Sequence, residues 1–355
     1  MRISLTKSIV AVLLIVLAVF SFVGAGAFAQ CVDDATAAVK TPGDESTSAK
    51  AAVVMERNSG RILYQKNPNE RLPMASTTKI ATAITVLNMC DVSEVVVVPK
   101  AACGVEGSSV YLKEGEHLTV KELLLGLMLR SGNDCAVALA LHASGSVEKF
   151  AEQMNALACS LGCENTHFVN PHGLHAENHF TSAADLAKIT CYALKNPIFA
   201  EIVGTKVAKI ANEFGKSSRI LLNKNKLLKR NKCFDGVKTG YTKAAGRCFV
   251  GSMTAGDMQV VCVVLNCAPM FQDAERLLVS ASERYKLQCV VPLGKVANGA
   301  GGYYVAEKSF YYPVCSGETL TKSICYSCNG AYYQVKLNGT VLASVPLRFV
   351  RQKQR

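Results

Sequence analysis

The hydrophobic period of this chain changes twice along its length, and that limits its folds more than any other feature. "AAVVMERNSGRILYQKN" (51–67) is two strand-like runs around Asn58-Ser59-Gly60 and predicts a hairpin. From "TVKELLLGLMLR" (119–130) to "LACSLG" (157–162) apolar residues recur at helical spacing, broken near Ser131-Gly132-Asn133 and Ser144-Gly145. "RCFVGSMTAGDMQVVCVVLNC" (247–267) returns to alternation and turns at Ala255-Gly256-Asp257, a second antiparallel hairpin. Three further helices are expected: Ser76 to about Met89, "TSAADLAKITCYALK" (181–195) with a Thr cap, and "FQDAERLLVSASERY" (271–285) packed on the second hairpin. "EVVVVP" is a strand ended by Pro99. After about residue 288 the runs are short, rich in Tyr and Val, with frequent Gly and no helix signal. Strands, a helical insert, strands with a helix, then strands alone define an α+β chain: an antiparallel sheet flanked by helices, with a helical subdomain, followed by a small all-β domain.

The N-terminus bears on where the protein works. Arg2 and Lys7 precede an apolar run that ends in Ala27-Phe28-Ala29. Residues 1–29 read as a signal peptide cleaved after Ala29, with an uncleaved anchor helix or a lipid-modified Cys31 as alternatives. The protein is therefore expected to be exported. Residues 30–50, rich in Thr, Ala and Ser, read as a linker. Half of the chain is hydrophobic, which argues against disorder. The formal net charge is +12, with basic runs at 224–232 and 348–355. In an exported protein such runs fit weak, salt-sensitive contact with anionic membrane or cell-wall polymers, or simply solvated faces, rather than nucleic acid.

There are 15 cysteines. Cys135, Cys159 and Cys191 fall inside apolar helical patterns and look like small buried hydrophobes. Cys325 and Cys328 form the one close pair; no second pair at metal-site spacing accompanies it. Mostly unbridged thiols are expected, with room for a bridge among Cys315, Cys325 and Cys328. No metal or cofactor is expected.

Three short motifs carry possible chemistry. In Ser76-Thr77-Thr78-Lys79 the first and last residues share a helix face, so an amine can reach a hydroxyl. Serine needs a base to become a nucleophile, and lysine serves only if burial or a second cation lowers its pKa. Ser131-Gly132-Asn133 places two polar side chains at a turn between apolar helices. Lys238-Thr239-Gly240 opens the second hairpin region, where an edge strand with a cation and a glycine can dock an extended peptide ending in a carboxylate. Taken singly, each reads better as a capped helix, an ordinary turn or an exposed strand end.

Their order changes the weighing. S-x-x-K, S-x-N and K-T-G in that sequence form the active-site set of the penicillin-recognising serine enzymes. The chain resembles that superfamily and, within it, the low-molecular-mass penicillin-binding proteins, serine-type D-Ala-D-Ala carboxypeptidases. "GSSVYLKEGE" (107–116), "NTHFVNPHGLHAENHFTSAADLA" (165–187) and "FDGVKTGYTKAAGRCFVGS" (234–252) extend the likeness across roughly residues 50 to 290. The resemblance implies a β-lactamase/DD-peptidase-like catalytic domain over 51–287, and a short positioning-type β domain over 288–355. It implies Ser76 as the acylated nucleophile, Lys79 as its base, and Ser131 and Asn133 as a proton relay that also orients the substrate amide. Lys238 and Thr239 would hold the terminal carboxylate beside Gly240, with Lys238 lowering the pKa of Lys79. The backbone N–H groups of Ser76 and Tyr241 would form the oxyanion hole, where one donor is worth about 3 kcal/mol in other serine hydrolases. Substrates would be peptidoglycan stem peptides ending in D-Ala-D-Ala, and β-lactams would act as covalent inhibitors.

Rival readings are a serine β-lactamase, a zinc carboxypeptidase and a non-catalytic wall-binding protein. The E-x-x-L-N loop of the β-lactamases is missing: Glu164 is followed by "NTHFVN". His172, His175 and His179 lie in one Pro/Gly loop with no H-E-x-x-H helix. Every motif residue of the serine set is intact, against the non-catalytic reading. The tail "VPLRFVRQKQR" is too short for an amphipathic anchor helix.

Overall fold

The structure is a computed structural model that describes residues 46–212, 217–328 and 330–352. The expected signal peptide, and the expected linker up to residue 45, lie outside these. The described residues form two compact units, one holding 46–292 with 309–318, the other 293–308 with the chain from 319 onward. Strand β10 (Tyr285–Val291) spans the expected division at 287/288.

The larger unit is built on β1 (Ala51–Glu56), β2 (Ile62–Lys66), β7 (Phe234–Thr242), β8 (Gly246–Ala255) and β9 (Met258–Leu265), an antiparallel sheet in the order β2-β1-β9-β8-β7. Every residue of β9 is buried, so its apolar run is continuous instead of alternating, as expected for a strand covered on both faces. The pleat divides it: Val261, Val263 and Leu265 join one core, while Val260, Cys262 and Val264 join the other. α7 (Met270–Arg284) covers the second face with Ala274, Leu277, Leu278 and Ala281.

The first face carries the helices. α1 (Lys79–Met89) is buried from Lys79 through Val86, the all-round burial of a central helix. Around it lie α2 (Val120–Leu125), α3 (Asn133–Ser144), α4 (Val147–Ser160), α5 (Ala183–Ala193) and α6 (Pro197–Gly204). The breaks follow local chemistry. Thr119 and Glu122 close a capping box on α2, Gly145 ends α3 in the left-handed region, and Ser146 caps α4. Asn196 caps α6 ahead of Pro197. The cap of α5 is Ser182, which accepts from Asp185 N, and not Thr181; the Thr181 hydroxyl instead pairs with that of Thr166.

Three small antiparallel pairs complete this unit. They are β3 (Val95–Val97) with β4 (His117–Thr119), β5 (Val207–Asn212) with β6 (Ser217–Leu222), and β10 with β13 (Phe310–Cys315). The end of the expected linker packs as part of the unit: Ala49 is buried, and both Thr47 Oγ1 and Ser48 N donate to the Asp273 carboxylate. The other unit is a five-stranded antiparallel sheet of β11 (Gly294–Gly299), β12 (Gly302–Ala306), β14 (Leu320–Ser327), β15 (Gly330–Leu337) and β16 (Thr340–Arg351) in the order β11-β12-β16-β15-β14.

Cys135 and Cys191 are buried as expected, but Cys159 is exposed because it falls on the outer face of α4. Cys315 and Cys325 are unbridged, so the expected bridge there does not form. Among the described residues no helix is long and apolar enough to cross a membrane.

Candidate active site

The three motifs converge beside the first turn of α1. Ser76 sits in a 3-10 turn, Ala75–Thr78, that runs directly into the helix. Ala75 adopts φ 49°, the left-handed region that costs a non-glycine residue energy. The turn is held from several sides. Thr77 Oγ1 donates to Met74 O at 2.6 Å and Thr78 Oγ1 to Ala75 O at 2.8 Å. His179 supports Thr78 in turn: Val169 N donates to its Nδ1 at 3.0 Å, which leaves the proton on Nε2, 2.9 Å from Thr78 Oγ1. Burial, with His172 and other histidines nearby, pushes His179 down to about 3, so it stays neutral at working pH. Glycine is required at 173: a Cβ there would lie 2.0 Å from Ala75 O. At Gly240 a Cβ would stand 3.1 Å from Ser76 N, and its absence lets β7 approach the nucleophile's backbone.

Lys79 is fully buried. Its Nζ lies 3.0 Å from Ser76 Oγ and 2.7 Å from Asn133 Oδ1, and it also donates to His172 O. Burial lowers its pKa well below the ordinary lysine value, and the charges of Lys238 and Lys224 lower it further. Donor counting then orients the group. A neutral amine has two hydrogens and one lone pair; Asn133 Oδ1 and His172 O can only accept, so they take both hydrogens. As an ammonium, Lys79 Nζ donates to Ser76 Oγ; once it has lost a proton its lone pair is the one left facing the serine.

Ser131 ends a five-residue π-turn, Gly126–Arg130, with φ 66°. Its Oγ is buried and has no hydrogen-bond partner among the described residues. Asn133 opens α3 and is engaged at both ends: Oδ1 by Lys79, and Nδ2 donating to Glu106 O, while its N donates to Ser108 O at 2.7 Å. The side-chain amide keeps a second Nδ2 hydrogen and a second Oδ1 lone pair beyond these contacts.

Lys238 lies on β7, the edge strand of the sheet, and is buried. Its Nζ donates to Thr239 O at 3.1 Å, and burial with the neighbouring Lys224 charge pushes its pKa down to about 7. Thr239 is half-buried and Tyr241 is 65% exposed. The pattern of the chain does not mark Lys224, which reads as one cation in a solvated basic run; in the fold its Nζ donates to Ser108 Oγ at 2.9 Å, and partial burial and Arg130 lower its pKa. Nor does it mark His172, His179 or Gly173 as supports, although all three stand in one loop of "NPHGLHAENHF". His172, whose pKa burial and Lys79 push down to about 4, serves through its backbone carbonyl. Among the described residues these histidines do not assemble into a ligand set.

A serine facing a buried lysine of lowered pKa at a helix start, with a lysine-bearing edge strand alongside, is the site of an acyl-transferring serine enzyme. The chain belongs to the D-alanyl-D-alanine carboxypeptidase family, which it matches over residues 36–268. It is 40% identical over 225 residues to D-alanyl-D-alanine carboxypeptidase DacF of Bacillus subtilis (strain 168), covering 62% of this chain and 58% of the relative. With DacC of Escherichia coli (strain K12) it shares 35% identity over 259 residues, 69% of this chain and 64% of the relative. The chain thus spans less than two thirds of the length of either. Among solved structures it is similar to penicillin binding protein 5 from Haemophilus influenzae, with TM-score 0.74 and 26% identity over 87% of this chain and 98% of that one. The D-alanyl-D-alanine carboxypeptidase from Mycobacterium tuberculosis H37Rv gives TM-score 0.64 and 31% identity over 67% of this chain and 92% of that one.

Proposed function

We propose that this chain is a serine-type D-Ala-D-Ala carboxypeptidase that removes the terminal D-Ala from peptidoglycan stem peptides and is acylated by β-lactams. The observation that carries the reading is the Lys79 amine, buried and 3.0 Å from Ser76 Oγ, and held from the other side by Asn133 Oδ1 and His172 O.

In the mechanism this supports, Lys79 takes the Ser76 proton as Oγ attacks the carbonyl of the penultimate D-Ala. The oxyanion meets the backbone N–H groups of Ser76 and Tyr241 at the 3-10 turn and the edge of β7. Lys238 and Thr239 hold the substrate's carboxylate, with Gly240 letting the strand lie close against the nucleophile's turn. The proton on Lys79 passes to the leaving D-Ala nitrogen through Ser131, whose buried hydroxyl has no competing partner. Asn133, which fixes Lys79 through Oδ1, takes part in this relay and orients the substrate amide with its remaining hydrogen-bonding sites. Water then attacks the acyl-enzyme, with the neutral Lys79 again the base. No carboxylate is among the hydrogen-bond partners of Ser76 or Lys79, which favours a slowly deacylating penicilloyl-enzyme over a β-lactamase. The place of action is extracytoplasmic, at the cell wall or the outer face of the membrane, with the basic stretches available for weak contact with anionic polymers.

The test is intact-mass analysis after exposure to a labelled penicillin, together with D-Ala release from an acyl-D-Ala-D-Ala peptide. Wild type should carry one adduct and release D-Ala, and Ser76→Ala should do neither while keeping its fold. A stable adduct on Ser76→Ala overturns the assignment.

A further inference from the structure

At the far end of α1 and α3 from the active site, three side chains with metal-binding atoms come together. Cys90 is the C-cap of α1, His142 lies in the last turn of α3, and Glu94 sits in the turn that leads to β3. Their Sγ, imidazole nitrogen and carboxylate oxygen all lie within 4.8 Å of one another. We propose that Cys90, Glu94 and His142 bind one divalent d-block cation of the zinc class, which clips the C-terminal ends of the two helices whose first residues are Lys79 and Asn133.

The donor set decides the class of ion. A thiolate excludes magnesium and calcium, which take oxygen ligands, while sulfur, imidazole and carboxylate together are a zinc-type combination. Three protein ligands leave the fourth tetrahedral position to water. Zinc bond lengths place donors about 3.4–3.6 Å apart, so closure asks for movements of about 1 Å, within reach of side-chain rotation. The site is also organised for a cation. Glu94 Oε1 accepts from Asp91 N at 2.6 Å, which fixes the carboxylate and leaves Oε2 turned to His142 Nε2 at 2.9 Å. Cys90 caps the C-terminus of α1 and His142 lies in the last turn of α3, the helix ends at which a cation is favoured. The existing Glu94–His142 pair is only partly buried, 25% exposed at His142 and 44% at Glu94, and by itself contributes little. Binding releases the Cys90 sulfhydryl proton to solvent for the sulfur–metal bond, and replaces the Glu94–His142 hydrogen bond by two metal bonds, the proton on His142 Nε2 leaving to solvent or being taken up at Nδ1. α1 has 11 residues, so the clip would lie about 16 Å along the helix from Lys79.

The experiment uses the full chain, reduced and stripped of metal, titrated with cobalt(II) as a spectroscopic stand-in and then with zinc. Wild type should develop a thiolate-to-cobalt charge-transfer band at one equivalent and gain thermal stability with zinc. Cys90→Ser should lose that band. His142→Ala should keep a thiolate but weaken binding at least about 10- to 100-fold. Cys159→Ser, which removes an exposed thiol on α4, should behave as wild type. Melting curves in metal-free buffer show that each variant is folded before titration. The proposal is overturned if wild type shows no thiolate band, or if Cys90→Ser and His142→Ala bind cobalt with wild-type spectrum and affinity.

Discussion

The buried ammonium of Lys238 makes a quantitative demand on pH dependence. Its pKa stands at about 7 against the ordinary 10.5, because burial and Lys224 both disfavour its charge. A lowered lysine pKa means the charge needed to hold a carboxylate is present below pH 7 and drains away above it. By pH 9 about one molecule in a hundred of the free enzyme would carry it. A charge-assisted hydrogen bond is worth about 1.5–3 kcal/mol, or about 10- to 150-fold in affinity. Bound carboxylate must raise the Lys238 pKa by the logarithm of the same factor, about 1–2 units. Preference for a free C-terminal acid should therefore fall up to tenfold per pH unit above 7, and level off near pH 9.

The assay is kcat/KM for D-Ala release from an acyl-D-Ala-D-Ala peptide between pH 6 and 10, run beside the same peptide with its end amidated. Since kcat/KM reports groups of the free enzyme, the acid should show an alkaline limb at about pH 7 that the amide lacks. Lys238→Arg should flatten that limb, because guanidinium keeps its charge throughout, although it loses the compact geometry of an ammonium. Parallel profiles for acid and amide, or an Arg variant with the wild-type limb, would refute the carboxylate role of Lys238.

Two other perturbations test the support around the site. Lys224→Met removes a cation that depresses both Lys79 and Lys238, so both limbs of the kcat/KM profile should move to higher pH; an unshifted profile means the field of Lys224 does not reach them. Gly173→Ala drives a Cβ to 2.0 Å from Ala75 O at φ +87°, displacing the 3-10 turn; acylation by penicillin should slow at least about 100-fold, and a wild-type rate would show that the turn is not positioned from that side.

What can be read from the sequence is local. The Ser76–Lys79 contact follows from i, i+3 spacing, and the hairpins at 51–67 and 247–267 from alternation and turn residues. What cannot be read depends on chain segments far apart. The acceptors that take both Lys79 hydrogens are Asn133, 54 residues away, and the carbonyl of His172, 93 away. A backbone carbonyl leaves no mark in a side-chain pattern. Lys224 looks like its solvated neighbours in "KNKLLKRNK" because only the fold brings Ser108 to it. β5 and β6 escape a pattern reading because their outer face is itself apolar, with Val207 opposite Leu222 and both exposed, so polar and apolar residues do not alternate cleanly. β10 and β13 pair Tyr285 with Cys315 across an intervening excursion into the other sheet, which a boundary drawn on composition does not detect.

The cations around Lys79 also imply a change on binding. In the free enzyme burial, Lys238 and Lys224 lower the Lys79 pKa, which favours its neutral form but makes it a weaker base. A substrate carboxylate seated on Lys238 cancels much of the field that Lys238 exerts on Lys79. The Lys79 pKa should then rise in the complex, and the base strengthens when the peptide to be cleaved is in place. The sign is testable, since kcat reports the complex and kcat/KM the free enzyme. The acid limb of kcat should lie at higher pH than the acid limb of kcat/KM for the free-acid peptide. For the amidated peptide, which brings no charge to Lys238, the two limbs should coincide. If they coincide for the free acid as well, or if the kcat limb lies at lower pH, then desolvation by substrate outweighs charge compensation, and Lys238 does not transmit binding to the base.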